Sequence, residues 1–272
     1  MLVLLIRMAN CELDINKLIT EQHYVLGYHG CDRHVKQKIL KEKDILRESK
    51  NKYDWLGHGI YFWEDDYERA LEYAEHIKEN PGHNKGAINT PDVIGAVLKL
   101  GNCLNLFHKR NLDLLRSSYF TMKDFHEQHK LPMPKNGDDK GNLSIRKLDC
   151  AVINFLIKTR EKDKNDNPKS KIRTFDSVIA PFWEGDELFP GAVGFRERNH
   201  IQICIINKYK VYCLETGEIF NGGTVAGKKY GMHWCNVSMQ CKNKGKDKRK
   251  KYPYHFIYYL DYLKQTQPEL FR

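Results

Sequence analysis

The chain has 272 residues, of which 41% are hydrophobic, so it is long enough to bury the core of one domain with additions. No apolar run approaches the ~20 residues that a transmembrane helix requires, which excludes a membrane-spanning protein of that kind. The net charge of +10 favours polyanionic partners and is accounted for by two segments, residues 158–173 and residues 242–251.

Residues 1–23 are predicted to be an N-terminal extension. Their apolar run, Leu2 to Ile6, is too short for a secretion signal and has no small-residue cleavage site after it. The eight cysteines of the chain are scattered rather than arranged in pairs, which is typical of a reducing compartment. The sequence therefore predicts a cytoplasmic protein without membrane contact.

Two short motifs lie near the start of a predicted domain, residues 24–212. The first is Tyr28-His29-Gly30, and the second is the run from Trp55 to Phe62, which contains Gly57-His58-Gly59-Ile60-Tyr61-Phe62. From Glu64 to Ile77 the apolar residues are spaced by three and four, which predicts an amphipathic helix with an aspartate cap. This helix carries Tyr73.

The middle of the chain, residues 105–175, is predicted to be an inserted segment of helices and loops that follows a strand at 93–100. It contains the first basic segment, residues 158–173. Within this segment, residues 165–171 have an alternative interpretation as a solvated loop that binds nothing. A strand is predicted at 176–180, and a stretch rich in Gly, Pro and aromatic residues follows at 181–195. Loops of that composition often carry function, so Trp183, Phe189 and Phe195 are candidates for stacking on a substrate base. The alternative is that these rings only hold the loop together.

A buried strand is predicted at 200–206, because apolar and β-branched residues form a short run there. Side chains alternate along a strand, so residues 200, 202 and 204 are expected to share one face. Arg196 and Glu197 lie in the loop before this strand.

Residues 213–272 are predicted to be a basic and aromatic extension packed on the core. In the second basic segment, Lys248 and Arg249 are candidates for contact with nucleic acid, because stackable rings follow them. A C-terminal helix is predicted from the spacing of Phe256, Tyr259, Leu260 and Leu263. No metal site is expected, because the spacing of His and Cys residues matches no usual zinc pattern; the nearest arrangement is His233, Cys235, Cys241 and His255.

The two motifs, in this order, resemble the NAD-binding core of the ADP-ribosyltransferases, in the diphtheria-toxin-like branch that includes the poly(ADP-ribose) polymerases. The resemblance covers about residues 24–212 and implies an α+β fold, with two small, mostly antiparallel sheets around an NAD cleft and helical insertions. It also implies that NAD is the substrate. His29 would hydrogen-bond the adenine-side ribose, and Gly30 would let the backbone approach the nicotinamide. Tyr61 and Tyr73 would pack on the two sides of the nicotinamide ring.

The chain departs from the family pattern at the catalytic glutamate. When the family's glutamate-led strand is placed on residues 200–206, Gln202 occupies the glutamate position and Glu197 lies in the preceding loop. A glutamine can hold a ribose hydroxyl but cannot act as a base. Either Glu197 supplies the carboxylate or the attacking group needs little deprotonation, and single transfer is predicted rather than polymer synthesis. The serine that the family carries near Tyr73 is also missing.

The resemblance predicts a mono-ADP-ribosyltransferase of the bacterial or phage toxin type, from a toxin–antitoxin or phage-defence system, with an antitoxin protein as partner. The basic segments favour a nucleic-acid acceptor, with single-stranded RNA preferred over DNA. The candidate acceptor-binding residues are Trp183, Phe189, Arg196, Lys248 and Arg249. Two alternatives stay open: a protein-modifying mono-ADP-ribosyltransferase, and a non-catalytic module that binds NAD or nucleic acid.

Overall fold

A computed structural model describes most of the chain between residues 24 and 206 and parts of the remainder. The described residues are 3–5, 24–41, 46–81, 87–137, 145–167, 169–206, 211–214, 219–220, 226, 229–232, 236–237, 240–241, 255–258 and 265–266. The chain divides into two compact units, of which one spans Val3–Ile206 and the other contains Asn207–Arg272.

The first unit is built on one seven-stranded sheet. Its strands, in chain order, are β1 (Val3–Leu5), β2 (Tyr24–Asp32), β3 (Ile60–Glu64), β4 (Pro91–Lys99), β5 (Cys103–Asn105), β6 (Ser177–Phe182) and β7 (His200–Ile205). Their order in the sheet is β1-β4-β2-β3-β7-β6-β5. Every neighbouring pair is antiparallel except β5 and β6, which are parallel.

The prediction of a mixed, mostly antiparallel α+β fold is confirmed, but the prediction of two small sheets in this unit is wrong. Strands β1, β4 and β2 lie on one side of β3, and strands β7, β6 and β5 lie on the other. They form one sheet because β3 pairs with β2 along one edge and with β7 along the other. Tyr28 lies opposite Trp63, and Trp63 lies opposite Gln202. The first motif, the second motif and the strand of Gln202 are therefore on three adjacent strands.

Four helices of this unit are described: α1 (Arg33–Leu40), α2 (Tyr67–Glu79), α3 (Lys109–Gln128) and α4 (Lys147–Asp166). Ala70 of α2 packs with Trp63 and Val93 on one face of the sheet. Helix α4 covers the same face further along, where Ile153 and Leu156 pack with Val178 and Cys204. Helix α1 lies on the opposite face, where Ile39 packs on Cys31 and Ile94. The aromatic residues of the candidate functional site lie on the face that α2 and α4 cover.

The second unit contains a three-stranded antiparallel sheet of β8 (Val211–Cys213), β9 (Ile219–Phe220) and β10 (Phe256–Tyr258), in the order β10-β8-β9. The predicted helix at Phe256 is wrong, because Phe256 pairs with Cys213 in this sheet and is fully buried. Tyr259, Leu260 and Leu263 lie outside the described residues. In the described part of the chain, no helix combines the length and apolar character needed to cross a membrane.

Candidate functional site

A row of aromatic side chains crosses the sheet face under α2 and α4, and we call it the aromatic strip. Neighbouring ring centroids lie 4.9 Å apart for Tyr73 and Trp63, 6.2 Å for Trp63 and His200, 5.2 Å for His200 and Phe182, and 4.8 Å for Phe182 and Trp55. The rings come from α2, β3, β7, β6 and the loop before β3. Because alternate residues of paired strands share a face, the register of β3, β7 and β6 alone brings three of these rings together.

Gln202 lies beside the aromatic strip, as the alternation of β7 predicts. The Trp55 indole Nε1 donates a hydrogen bond to Oε1 of Gln202 at 2.5 Å. At the same end of the strip, the guanidinium of Arg146 lies 4.5 Å from the centre of the Phe182 ring and 5.4 Å from that of Trp55. The strip therefore ends in a cation stacked on two rings, with an amide held by an indole next to it.

Helix α2 begins where the predicted cap places it. The side chain of Asp66 accepts a hydrogen bond from the backbone N–H of Arg69 at 2.8 Å, which satisfies a donor of the first turn. Arg69 and Tyr73 are four residues apart, so they lie on one side of the helix. Arg69 Nη2 donates to Glu184 at 2.5 Å, and Nη1 lies 3.5 Å from Glu72. This ion pair joins α2 to the chain that leaves β6.

Four buried nitrogen atoms around the strip have no hydrogen-bond partner among the described residues. They are Nε1 of Trp63, Nε of Arg69, Nε2 of His200 and, at the far end of the strip, Nε of Arg146. Trp63 and His200 are only 3% and 8% exposed. Buried polar atoms are nearly always paired, so four unpaired ones along one strip mark places where a polar ligand group or water belongs.

Tyr61 is packed more tightly than the sequence suggests. Its hydroxyl donates to the carbonyl oxygen of Gly57 at 2.8 Å and accepts from the N–H of Leu56 at 2.9 Å. Its ring packs against the core cluster beneath α4. Burial raises the pKa of this hydroxyl well above its usual value, so it stays protonated. Gly57 has a φ of 83°, a conformation that favours glycine, and the Tyr61 hydroxyl holds this turn closed.

Replacing Tyr61 by phenylalanine should destabilise the protein by about 1–3 kcal/mol, because the buried N–H of Leu56 loses its partner and the Gly57 carbonyl keeps only the weak thiol donor of Cys204, while the ring remains. Urea unfolding measures this loss, provided that the slope of the free energy of unfolding against urea concentration is the same in both proteins. The exposed Tyr67 supplies the matched control, since Tyr67→Phe should leave the free energy of unfolding within about 0.5 kcal/mol of the wild type. Equal stability of the Tyr61 and Tyr67 variants would contradict the structural role of the hydroxyl.

His29 and Gly30 occupy β2, next to the strand of Tyr61. Nδ1 of His29 donates to the carbonyl oxygen of Tyr61 at 2.7 Å, and its ring lies 5.7 Å from that of Phe62, on the sheet face opposite Trp63. His29 is thus connected to the aromatic strip through the backbone of Tyr61. Gly30 lies beneath α2, where an added Cβ would collide with the carbonyl oxygen of Ala70. Close packing of helix on sheet requires this glycine.

Both histidines of the region are kept neutral. Burial lowers the pKa of His29 below its usual value, and the hydrogen bond to Tyr61 opposes this only in part. Burial also lowers the pKa of His200, and the hydrogen bond to the Arg198 carbonyl opposes this only in part. Nδ1 of His200 donates to the carbonyl oxygen of Arg198 at 2.7 Å, because a carbonyl oxygen can only accept. Nε2 of a neutral His200 is therefore an acceptor.

Residues 183–199, which join β6 to β7, form what we call the aromatic loop. Its backbone is tied together by hydrogen bonds from Leu188 to Phe195, from Glu197 to Asp186 and from Arg198 to Glu184. Large apolar side chains are exposed on this loop: Trp183, Leu188, Phe189, Val193 and Phe195. The rings of Phe189 and Phe195 lie 6.3 Å apart, so these two rings contact each other within the loop as well as being exposed.

The other predicted site residues divide between the aromatic loop and the part of the chain outside the described residues. Glu197 is exposed, and Arg196 is half-buried, with its backbone paired to that of Glu187 in an isolated antiparallel β-bridge. Lys248 and Arg249 lie outside the described residues, as do His233 and Cys235. Within the described residues, no group of three or more His, Cys, Asp or Glu side chains is placed to hold a metal ion.

The sequence did not single out Trp63, Arg69, Glu184 or Arg146, although the structure places all four at the aromatic strip. Two signals could have found the first two. Trp63 follows Tyr61 by two residues on a strand, so the two share a face, and Arg69 precedes Tyr73 by one helical turn. No local signal connects Glu184 or Arg146 to these elements.

Comparison with known proteins adds one relative. The chain is 27% identical over 206 residues to the uncharacterized protein MJ0359 of Methanocaldococcus jannaschii, an alignment that covers 69% of this chain and 85% of the relative. No protein-family model and no solved structure matches the chain.

Proposed function

We propose that the protein is a mono-ADP-ribosyltransferase that transfers ADP-ribose from NAD to a macromolecular acceptor. One observation carries the proposal: the two motifs that resemble the family and the strand of Gln202 lie side by side in the sheet, as β2, β3 and β7. The aromatic strip offers flat walls for a planar ring, and the unpaired nitrogen atoms of Trp63 and His200 offer polar contacts. These features suit the nicotinamide end of NAD.

In this proposal the side chains position the substrate and supply few charged groups. Gln202, held by Trp55, binds a ribose hydroxyl, and Tyr73 packs on the nicotinamide ring. The described carboxylates near the strip are paired, as Glu184 is with Arg69, exposed, as Glu197 is, or hydrogen-bonded to the backbone, as the buried Asp54 is to the N–H of Asn51. The side-chain oxygen of Gln202 bonds to Trp55, and Gln202 itself is no base, which favours transfer to an acceptor that needs little deprotonation and favours a single transfer.

A nucleic acid, with single-stranded RNA preferred, is the acceptor that we propose. The exposed rings of Trp183 and Phe189 stand on the aromatic loop, which starts and ends at the strip. Exposed rings combined with basic segments suit single strands, because bases stack on rings while cations neutralise phosphates. A toxin restrained by an antitoxin protein is the biological setting that we propose for such an activity.

Incubation of the full-length protein with NAD that is labelled in its ADP-ribose part and with total cell extract should release nicotinamide. The label should become attached to macromolecules, and nuclease treatment should then remove it. Chromatography detects the nicotinamide, and mass spectrometry of RNA, DNA and protein identifies the acceptor. The variant Trp183→Ser with Phe189→Ser should lose at least about tenfold in transfer while NAD hydrolysis without acceptor is unchanged, because each base stack contributes about 1–3 kcal/mol. Label that only protease removes would indicate a protein-modifying enzyme instead. Absence of nicotinamide release would indicate a non-catalytic module.

A further inference from the structure

The unpaired nitrogen atoms of Trp63 and His200 belong to neighbouring rings of the aromatic strip. Both side chains are more than nine-tenths buried, their rings lie 6.2 Å apart, and neither Nε1 of Trp63 nor Nε2 of His200 has a partner among the described residues. Leaving such atoms unpaired destabilises a folded protein, so a ligand that pairs both gains affinity from groups already desolvated.

The two atoms differ in hydrogen-bonding type. An indole Nε1 can only donate. The bond from Nδ1 of His200 to the carbonyl of Arg198 fixes the proton on Nδ1, and burial holds the pKa of the ring below its usual value, so Nε2 accepts. The site therefore requires a ligand group that carries an acceptor and a donor next to each other.

The charges around the site favour a neutral ligand group. The Arg69 guanidinium lies next to it, and its Nη atoms are paired with Glu184 and Glu72, so its charge is balanced by two carboxylates. Its Nε–H has no partner in the described part of the chain and adds a second donor for an acceptor atom of the ligand. The Tyr73 ring packs 4.9 Å from Trp63, which provides a flat wall for a planar group. A primary carboxamide is planar and neutral, and it presents a carbonyl oxygen beside an N–H donor.

We infer that Trp63 and His200 bind the primary carboxamide of nicotinamide, with the indole N–H donating to the amide oxygen and imidazole Nε2 accepting from the amide N–H. The inference rests on the proposed function, which makes nicotinamide the leaving group. In the family that the chain resembles, a serine near the position of Tyr73 contacts the nicotinamide amide, and this chain lacks that serine. The inference assigns Trp63 and His200 to the contact instead. It also makes Trp63 and His200 determinants of specificity.

Binding of nicotinamide to the full-length protein tests the assignment without any turnover. Calorimetry should show that nicotinamide binds at least about tenfold more tightly than nicotinic acid or N,N-diethylnicotinamide, since each of these lacks the donor that His200 requires. Trp63→Phe and His200→Asn should each weaken nicotinamide binding about tenfold, and His200→Asn should remove the preference over the diethyl compound. In nitrogen-edited NMR, the indole N–H signal of Trp63, identified by its loss in Trp63→Phe, should shift on addition of nicotinamide.

Matched controls are available for both substitutions. Tyr67→Phe removes a hydrogen-bonding group from an exposed ring of α2, and His126→Asn makes the histidine change on α3, so both should bind nicotinamide as the wild type does. Wild-type binding and preference in Trp63→Phe and His200→Asn would show that only water fills the site and would overturn the inference, while NAD cleavage still supported the proposed function. A shift of the Trp63 signal with AMP but not with nicotinamide would also overturn it, because an adenine edge likewise offers a donor beside an acceptor. Selective nicotinamide binding in a protein that does not cleave NAD would uphold this site and reject the transferase.

Discussion

Gln202→Ala should lower NAD cleavage and transfer by at least about a hundredfold, because a group that holds the reacting sugar in place typically contributes two to three orders of magnitude. Gln202 lies on β7 directly opposite Trp63, and its side-chain oxygen accepts the Trp55 indole N–H. The alanine removes the amide and also leaves the indole without its partner. Steady-state release of nicotinamide, measured on protein with an unchanged melting temperature, gives the loss.

Two further variants separate the roles of the groups around Gln202. Gln202→Glu keeps an acceptor for Trp55 and adds a carboxylate, so it should retain NAD cleavage and should raise transfer if the acceptor must lose a proton. Trp55→Phe removes only the indole N–H and should cause a smaller loss than Gln202→Ala. If Gln202→Ala transfers normally while Glu197→Gln is inactive, the strand alignment is wrong and Glu197 is the functional glutamate.

Gly30→Ala should destabilise the protein by about 3 kcal/mol, at the upper end of the range for overpacking a core. The added Cβ meets the Ala70 carbonyl oxygen and the Ala74 side chain, and a helix backbone cannot move aside as a flexible side chain can. Helix α2 would shift and take Arg69 and Tyr73 with it, so NAD cleavage should fall as well. Urea unfolding monitored by circular dichroism gives the change in stability.

Gly194→Ala is the matched control for this variant. An added Cβ at Gly194 meets no atom within 4 Å, so the change should alter stability by no more than about 0.5 kcal/mol. If Gly30→Ala proves as stable as wild type but inactive, the glycine is required for approach of the ligand rather than for packing of the helix. That result would favour the role that the family resemblance assigns to Gly30.

Local patterns predicted the elements around the site well. The aspartate cap and the apolar spacing after Tyr61 predicted α2, which the structure places at Tyr67–Glu79. The alternation from residue 200 predicted that His200 and Gln202 would share a face, and His200 is a ring of the aromatic strip while Gln202 bonds to another of its rings, Trp55. These patterns succeed because capping and side-chain alternation depend on a few neighbouring residues.

The rest depended on contacts that no local pattern contains. The single sheet follows from the pairing of β3 with β7, and the sequence between them gives no sign of that choice. Phe256 has helical spacing with later residues, yet burial in the second sheet determines its conformation. The unpaired atoms of Trp63 and His200 are a property of their surroundings, so only the assembled structure shows them.

The pairing of β3 with β7 also bears on how the chain folds. Trp55 and Gln202 are 147 residues apart in the chain, and the helices α3 and α4 lie between them. Closing so long a loop is slow compared with helix formation, so we expect the helices to form first and the central pairing to follow. During synthesis the ribosome must release residues beyond 205 before the strip can assemble. A growing chain therefore cannot assemble the strip until most of it has been made.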